Sequence, residues 1–139
     1  MNIPELLMDL TTHYNALIRY YASQLSLTAP QAFHLLAVSI DGISMSVLAH
    51  KLGLDNSTLT RNIQKLETLE LVLRKRDDYD RRVFKVHLTN KGRATVEQFE
   101  TLLLDLNYSM LKHIDLDDQE NIPDMLEKLV WAMDCIREK

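Results

Sequence analysis

Apolar residues recur every three or four positions along most of the chain, which predicts a mainly helical protein. The first such stretch runs from Ile3 to Leu25 and predicts a helix of about two dozen residues. Thr28, with Gln31 three residues later, forms a capping box that predicts the start of a second, shorter helix. The N-terminal part of the chain is therefore expected to consist of a long helix and a short one.

Two more short helices are predicted directly afterwards, very close together. Ser44 can cap a third helix, and Gly53 stands where a left-handed residue ends it. Asp55 then caps a fourth helix that runs from Asn56 to about Leu69. Two short helices joined by about three residues are typical of a helix-turn-helix.

Beyond the fourth helix the apolar pattern changes to a period of two. Apolar and polar residues alternate up to Leu88, and the segment from Leu71 to Arg76 can supply an opposing strand. The polar segment from Asp77 to Arg82 then forms the tip of a hairpin. The sequence predicts a small two-stranded wing over residues 74–88, directly after the helix-turn-helix.

Helical spacing returns for the rest of the chain. Thr89 caps a fifth helix, and Asp117 with Glu120 predicts a capping box for the last one. The first, fifth and sixth helices carry more apolar surface than one small winged domain can cover, which indicates a homodimer. The predicted fold is a mainly α winged helix-turn-helix with a two-stranded β wing, in one compact subunit. Its parts are an N-terminal dimerisation helix, 1–27, a winged domain, 28–92, and C-terminal dimerisation helices, 93–139.

Composition narrows the class of protein. The chain has 139 residues, of which 46% are hydrophobic and 26% charged, an ordinary mixture for one globular domain. No nucleophile–base pair or glycine-rich phosphate loop is visible, so we expect no enzyme. The five histidines are scattered one per element, and we expect no metal and no cofactor. The sequence shows no apolar run of membrane-spanning length and no signal peptide, so we expect no membrane contact and a cytoplasmic location.

The charge is distributed unevenly along the chain. The formal net charge is −4, which by itself argues against binding to nucleic acid. The segment from Ser44 to Arg93 nevertheless holds 11 basic and six acidic residues, a net +5, and the remainder of the chain is −9. This asymmetry indicates that any contact with nucleic acid is confined to the winged part.

The fourth helix carries a polar face opposite its apolar one. Arginine can pair with guanine, glutamine with adenine, and hydroxyl groups with base edges or phosphates, and a recognition helix presents such groups to the major groove. On an isolated helix, the same face would be read as a solvated surface. Its position as the second helix of a helix-turn-helix favours contact with DNA. The candidate residues are Ser57, Thr58, Thr60, Arg61, Gln64 and Lys65.

The tip of the predicted hairpin is rich in arginine. Arg81 and Arg82 suit the narrow minor groove of DNA, and Asp80 can hold a neighbouring guanidinium in a defined orientation. The alternative is a charged hairpin that keeps the edge of the sheet from pairing with other chains. Directly after a helix-turn-helix, the DNA-binding interpretation is favoured.

With these elements in place, the sequence resembles the MarR family of winged helix-turn-helix transcriptional regulators. The residues that carry the resemblance are Leu27-Thr28 with Gln31, Leu48-Ala49, Leu52-Gly53, Ser57–Arg61, Leu66-Glu67, Asp80–Arg82 and Leu88–Gly92. It implies a homodimer whose recognition helices enter the major groove of a pseudo-palindromic operator. It also implies that Arg82 reaches the minor groove and that Asp80 orients it.

The resemblance further implies a repressor that is released by a small aromatic or phenolic ligand. In this family such ligands bind between the dimerisation helices and the winged domain, where Arg19, Tyr20 and His34 are the candidates here. Two alternatives remain open at this point. One is a winged-helix module that binds protein rather than DNA. The other is a redox-responsive regulator that uses Cys135, although an inert core or interface thiol is the more usual state of such a residue.

The chain departs from the family pattern just after the recognition helix. Glu70 stands where the family usually has glycine. Because glutamate does not enter the left-handed region cheaply, we expect this helix to end by another route.

Overall fold

The structure is a computed structural model that describes residues 1–138. The described part of the chain contains six helices and three short strands. They are α1 (Ile3–Ser23), α2 (Ala29–Ala37), β1 (Ile43–Ser44), α3 (Met45–Leu52), α4 (Asn56–Thr68), β2 (Val72–Arg76), β3 (Phe84–Leu88), α5 (Asn90–Leu111) and α6 (Leu116–Arg137). These residues form two compact units that divide within α5, one ending at Leu102 and the other starting at Leu103. None of the described helices combines the length and apolar character needed to cross a lipid bilayer.

Side-chain caps begin four of the helices where the sequence predicts them. The side chain of Thr28 accepts a hydrogen bond from the backbone of Gln31, and the Gln31 side chain returns one, so the predicted capping box is confirmed. The side chains of Ser44 and Asp55 cap α3 and α4 by accepting hydrogen bonds from the backbone N–H groups of Val47 and Thr58. Thr89 Oγ1 accepts from the N–H of the third helical residue of α5 at 2.9 Å. These caps satisfy backbone donors that would otherwise lack partners.

The start of α6 differs from the prediction. The helix begins at Leu116 after Asp115, whose side chain forms no cap hydrogen bond, so a capping box of Asp117 and Glu120 is wrong. Asp117 lies instead in the first turn, where a carboxylate interacts favourably with the helix dipole. The turn before α6 is held by Gln119, whose side-chain amide donates to two backbone carbonyls at 2.8 Å each.

Three helices end in the same type of backbone turn. In each, a residue in the left-handed region is followed by a leucine whose N–H donates to a carbonyl five residues earlier, at 2.9–3.0 Å. Such Schellman turns satisfy carbonyls at the helix end and seat an apolar side chain against the last turn. The left-handed residues and their leucines are Ser26 and Leu27 after α1, Gly53 and Leu54 after α3, and Glu70 and Leu71 after α4.

The expectation that Glu70 would avoid the left-handed region is wrong. Its φ is 61°, and its carbonyl accepts a 2.6 Å hydrogen bond from the hydroxyl of Thr89. The adjacent carbonyl of Leu69 accepts from Lys91 Nζ at 2.9 Å, and Leu71 is buried. Together these contacts offset the cost of about 1–2 kcal/mol for a non-glycine residue in this conformation.

The wing sheet has three strands rather than the two predicted. The strands are antiparallel in the order β1-β3-β2, and Ile43 of β1 pairs with Val86 of β3. β1 has only two residues, too few for an alternating pattern to show in the sequence. Within the hairpin, Arg74 pairs with Val86, so Arg74 lies on the same face of the sheet as this fully buried valine.

The apolar face of α4 is packed into the core of the first unit. Leu59, Ile63 and Leu66 are all fully buried, as their spacing predicts. Their burial leaves the opposite, polar face of the helix on the surface. The other large, almost completely buried side chains of this unit are Ile18, Leu35, Leu48, Val86 and Phe99.

Replacing Glu70 by glycine is expected to stabilise the protein by about 0.5–1 kcal/mol, because the relief of left-handed strain exceeds the extra backbone entropy of glycine. The measurement is the free energy of unfolding from urea denaturation. Glu70→Ala is the matched control, since it removes the exposed carboxylate and keeps the strain, and we expect it to leave stability nearly unchanged. Equal stabilities for Glu70→Gly and Glu70→Ala would contradict the explanation.

Candidate nucleic-acid interface

The outward face of α4 presents polar side chains that differ in how far they are already engaged. Asp55 accepts hydrogen bonds from the backbone N–H and the hydroxyl of Thr58, at 2.7 and 3.0 Å, and these bonds lower its pKa below the usual value. The hydroxyl of Thr60 donates to the carbonyl of Asn56 at 2.8 Å. Thr58 and Thr60 are half-buried, and their hydroxyl groups donate hydrogen bonds to acceptors in the first turn of α4 and its cap. The exposed members of the predicted set are Ser57, Arg61, Gln64 and Lys65.

The tip of the hairpin holds one arginine in a fixed orientation. Asp80 accepts from Arg82 Nε at 3.1 Å and Nη2 at 3.2 Å, and also from its backbone N–H at 3.1 Å. These hydrogen bonds, the side-chain ones foremost, lower the pKa of Asp80 below its usual value. The Arg82 side chain is 90% exposed. Its guanidinium is therefore oriented by the protein while remaining accessible.

The loop that carries Arg82 is braced by its own strands. Arg76 Nη1 donates to the carbonyl of Arg81 at 2.6 Å, and the Arg76 guanidinium lies 4.8 Å from the centre of the Phe84 ring. Lys85 and Asp77 form an ion pair at 3.7 Å across the hairpin. Arg81 itself is exposed. The tip is thus a braced loop with two outward arginines.

One groove is bordered by both the start of α4 and the wing. Its volume is about 360 Å³, and we call it the interface groove. Arg82 and Thr60 line it, which brings together members of the two sets that the sequence analysis placed on separate elements. The residues that line it are Met45, Ser46, Asn56, Thr60, Arg74, Arg82, Val83 and Phe84.

Three polar residues of this groove were missed in the sequence analysis. Asn56 is the first residue of α4, and Ser46 belongs to the first turn of α3. Arg74 shares its face of β2 with the buried Val72 and the exposed Arg76. A charged residue two positions after a buried valine was a usable signal. Arg74 also pairs with Glu67 of α4, through Nη2 at 2.9 Å and Nε at 3.1 Å, both to Oε1.

A second cavity lies among α1, α2 and α3. It has a volume of about 500 Å³ and is lined by Arg19 and His34. Tyr20 is not among its lining residues; it is 61% exposed and meets Tyr21 edge to face. The structure therefore brings together two of the three predicted ligand residues. The others that line this α1–α2–α3 cleft are Asn15, Ala29, Pro30, Phe33, Lys51, Leu52 and Leu54.

His34 connects this cleft to the recognition helix. Its Nδ1–H donates to the carbonyl of Pro30 at 2.5 Å, which leaves Nε2 to accept from the side-chain amide of Asn62 in α4 at 3.1 Å. The side chain is buried, and burial lowers its pKa below the usual value despite the hydrogen bond to Pro30. His34 is accordingly neutral near pH 7.

Two further candidate features are the single cysteine and groups of side chains that could bind a metal. Cys135 is a free, half-buried thiol on α6. Within residues 1–138, no group of three or more His, Cys, Asp or Glu side chains is arranged to hold a metal ion.

The free energy of unfolding is expected to fall as the pH is lowered below about 6.5, the ordinary pKa of histidine. The pKa of His34 is lowered in the folded state, so the unfolded chain binds the proton first and is favoured as acid is added. Urea denaturation between about pH 7.5 and 5 measures this slope.

The slope should become shallower in His34→Gln. It should not vanish, because burial and Lys75 also lower the pKa of His87, which acts in the same direction. The double variant with His87→Gln should be shallower still. An unchanged slope in His34→Gln would show that the histidine is not held neutral by the fold.

Comparison with known proteins supports a regulatory role for this architecture. A family model described as "Transcriptional regulator SarA/Rot" matches residues 16–99. The regulator MgrA of Staphylococcus aureus is 28% identical over 132 residues, covering 87% of this chain and 84% of MgrA. YdgJ of Bacillus subtilis is 29% identical over 89 residues, 64% of this chain, and the match spans about half of YdgJ, 54% of its length.

The fold is shared with solved structures of the MarR family. The crystal structure of a mutant MarR from E. coli complexed with operator DNA superposes with a TM-score of 0.78 and 28% identity, over 91% of this chain and 94% of that one. The predicted winged helix-turn-helix fold and the MarR-type resemblance are confirmed. Because the family model covers well over half of the sequence, the chain belongs to the SarA/Rot family of winged-helix transcriptional regulators.

Proposed function

We propose that this protein is a homodimeric, sequence-specific DNA-binding regulator of transcription, and that it represses from a pseudo-palindromic operator. The observation that carries the proposal is the interface groove, which is bordered by the N-terminal turn of α4 and by the oriented Arg82 of the wing. A MarR relative of the same fold was crystallised with operator DNA. This function places the protein in the cytoplasm.

In this proposal α4 reads base edges in the major groove. Arg61 can form two hydrogen bonds to guanine, and Gln64 can do the same to adenine. Both are exposed and lie on the face opposite the buried leucines. Ser57 and Lys65 are suited to phosphate or base contacts, while the hydroxyl oxygens of Thr58 and Thr60 remain available only as acceptors.

The wing reaches the adjacent minor groove in this proposal. The narrow minor groove concentrates negative potential, which attracts an inserted arginine. Asp80 holds the Arg82 guanidinium before DNA binds, so less side-chain entropy is lost on binding. The phosphate backbone between the two grooves then passes along the interface groove, where Ser46 and Asn56 offer hydrogen-bond donors.

The dimer is supported by apolar side chains that the single chain leaves exposed. Contiguous exposed apolar patches on a protein surface mark interaction sites, and a second copy is the partner that this family uses. On α1 the exposed apolar residues are Ile3, Leu6, Met8, Leu10, Tyr14, Leu17 and Tyr20. On α6 they are Leu116, Met125, Leu126, Val130, Trp131, Met133 and Ile136.

We further propose that a small aromatic anion regulates DNA binding from the α1–α2–α3 cleft. Arg19 supplies a cation for a carboxylate or phenolate, and Phe33 and Leu54 supply apolar surface for the ring. His34 lines the same cleft and accepts a hydrogen bond from Asn62 of α4. A ligand that displaces His34 therefore changes the support of the recognition helix.

Arg82→Ala is expected to weaken specific DNA binding by about 1–3 kcal/mol, because the oriented minor-groove contact is lost. The probe is a duplex selected by the wild-type protein from a random-sequence pool, and the readout is fluorescence anisotropy at fixed salt. The thermal midpoint should stay unchanged, since the side chain is 90% exposed. Lys128→Ala, an exposed cation on α6, is the control and should bind normally. Unchanged affinity of Arg82→Ala would remove the wing from the interface.

Arg61→Ala is expected to relax sequence preference by about 1–3 kcal/mol at one base pair in each half-site, because a direct base contact is lost. Sequencing of the DNA selected by the variant and by the wild type measures this change. Lys65→Ala provides the contrast, since loss of a phosphate contact weakens binding to all sequences alike and leaves the preference intact. The same preference in Arg61→Ala as in the wild type would assign Arg61 to the phosphate backbone.

A further inference from the structure

The ion pair between Glu67 and Arg74 spans the junction of the recognition helix and the wing. Glu67 lies in the last turns of α4, and Arg74 is the middle residue of β2. We propose that Glu67 is a positioning residue for DNA binding, which holds Arg74 and thereby sets the wing relative to α4. This inference rests on the DNA-binding function proposed above.

The guanidinium of Arg74 contacts Glu67 through the edge that carries Nε and Nη2, and we call this contact the brace. Two donors of the guanidinium, Nε and Nη2, reach the same carboxylate oxygen at 3.1 and 2.9 Å. The two side chains are 29% and 31% exposed, so the pair is partly shielded from solvent and from salt. Two hydrogen bonds from one planar group restrict its rotation more than a single contact between flexible side chains does.

The pair adds a side-chain contact to a junction that the backbone turn after α4 also holds. At that turn, Thr89 and Lys91 donate to the carbonyls of Glu70 and Leu69. Among the described residues, no other side-chain hydrogen bond or ion pair joins α4 to β2 or β3. The orientation of the wing therefore depends on the backbone turn, on core packing and on this one polar contact.

The contact also reaches the DNA-facing surface. Arg74 lines the interface groove together with Arg82 and Phe84. Glu67 thus fixes a side chain that forms part of the groove wall, next to the arginine assigned to the minor groove. Loss of Glu67 would let Arg74 move and would loosen the arrangement of Arg82 relative to the start of α4.

A positioning role for Glu67 and the effect of its charge alone predict opposite changes in DNA affinity when Glu67 is replaced. Glu67→Ala removes the acceptor oxygen of both hydrogen bonds and also a negative charge in a region that faces polyanionic DNA. The loss of charge alone predicts tighter binding. The positioning role predicts weaker specific binding, by about fivefold or more, the lower end of what one lost groove contact costs. Arg74→Lys keeps the charge and loses the two-donor brace, and it should weaken binding in the same direction.

The experiment measures the dissociation constant of the full-length protein for the duplex that the wild type selects. Glu70→Ala is the matched control, because it removes an exposed carboxylate from the same end of α4 and leaves the contact between Glu67 and Arg74 intact. Each variant is also measured in the Arg82→Ala background. If Glu67 acts by placing the wing, Glu67→Ala causes no further loss once Arg82 is absent.

The binding measurements distinguish failure of the inference from failure of the proposed function. Binding by Glu67→Ala that is weaker than by Glu70→Ala, with the difference abolished in the Arg82→Ala background, supports the inference. Binding as tight as that of Glu70→Ala overturns it, and so does a loss of the same size with and without Arg82. A wild-type protein that selects no duplex would instead overturn the proposed function on which the inference rests.

Discussion

Burial of the apolar face of α4 sets the direction in which the rest of the interface points. Leu59, Ile63 and Leu66 are each fully buried, so rotating the helix would expose large apolar side chains at a cost of about 1.5–3 kcal/mol apiece. This cost holds Arg61 and Gln64 on the outside. The same packing places the first turn of α4 beside the wing, so that Thr60 and Arg82 share one groove. Every function proposed for the polar face depends on this rotational constraint.

The course of the backbone from α4 into the wing depends on Glu70, whose own backbone conformation is unfavourable for a residue other than glycine. Glu70 has a left-handed φ of 61° although glycine would adopt it with less strain. The hydrogen bond from Thr89 to its carbonyl, with the burial of Leu71, holds this conformation. The Glu67–Arg74 pair then spans the same junction through side chains. Local strain and a polar brace at one junction are consistent with a place where orientation matters for binding.

The buried histidine gives the first unit a polar link between two surfaces. His34 lines the α1–α2–α3 cleft and accepts from Asn62 of α4, and burial holds it neutral. Because Nδ1 donates to Pro30, the neutral ring accepts from Asn62 through the lone pair on Nε2. A proton on Nε2 would occupy this lone pair, so protonation of His34 breaks the hydrogen bond from the amide. The link therefore connects the proposed ligand site, the acid dependence of stability and the support of the recognition helix.

The sequence was sufficient for elements whose cause is local. Caps such as Thr28, Ser44 and Asp55 satisfy the first turns of their own helices, and the spacing of Leu59, Ile63 and Leu66 is a property of α4 alone. The Asp80–Arg82 pair is only two residues apart, so its geometry was also within reach of sequence reasoning.

The features that the sequence did not reveal depend on residues far apart along the chain. β1 exists because Ile43 meets Val86, and the left-handed Glu70 is held by Thr89, 19 residues away. The link from His34 to Asn62 spans 28 residues. The capping box at Asp117 failed because α6 already begins at Leu116, ahead of the residue expected to cap it. Long-range contacts such as the first three form only when the core has brought the elements together, which is why the pattern of a single segment could not contain them.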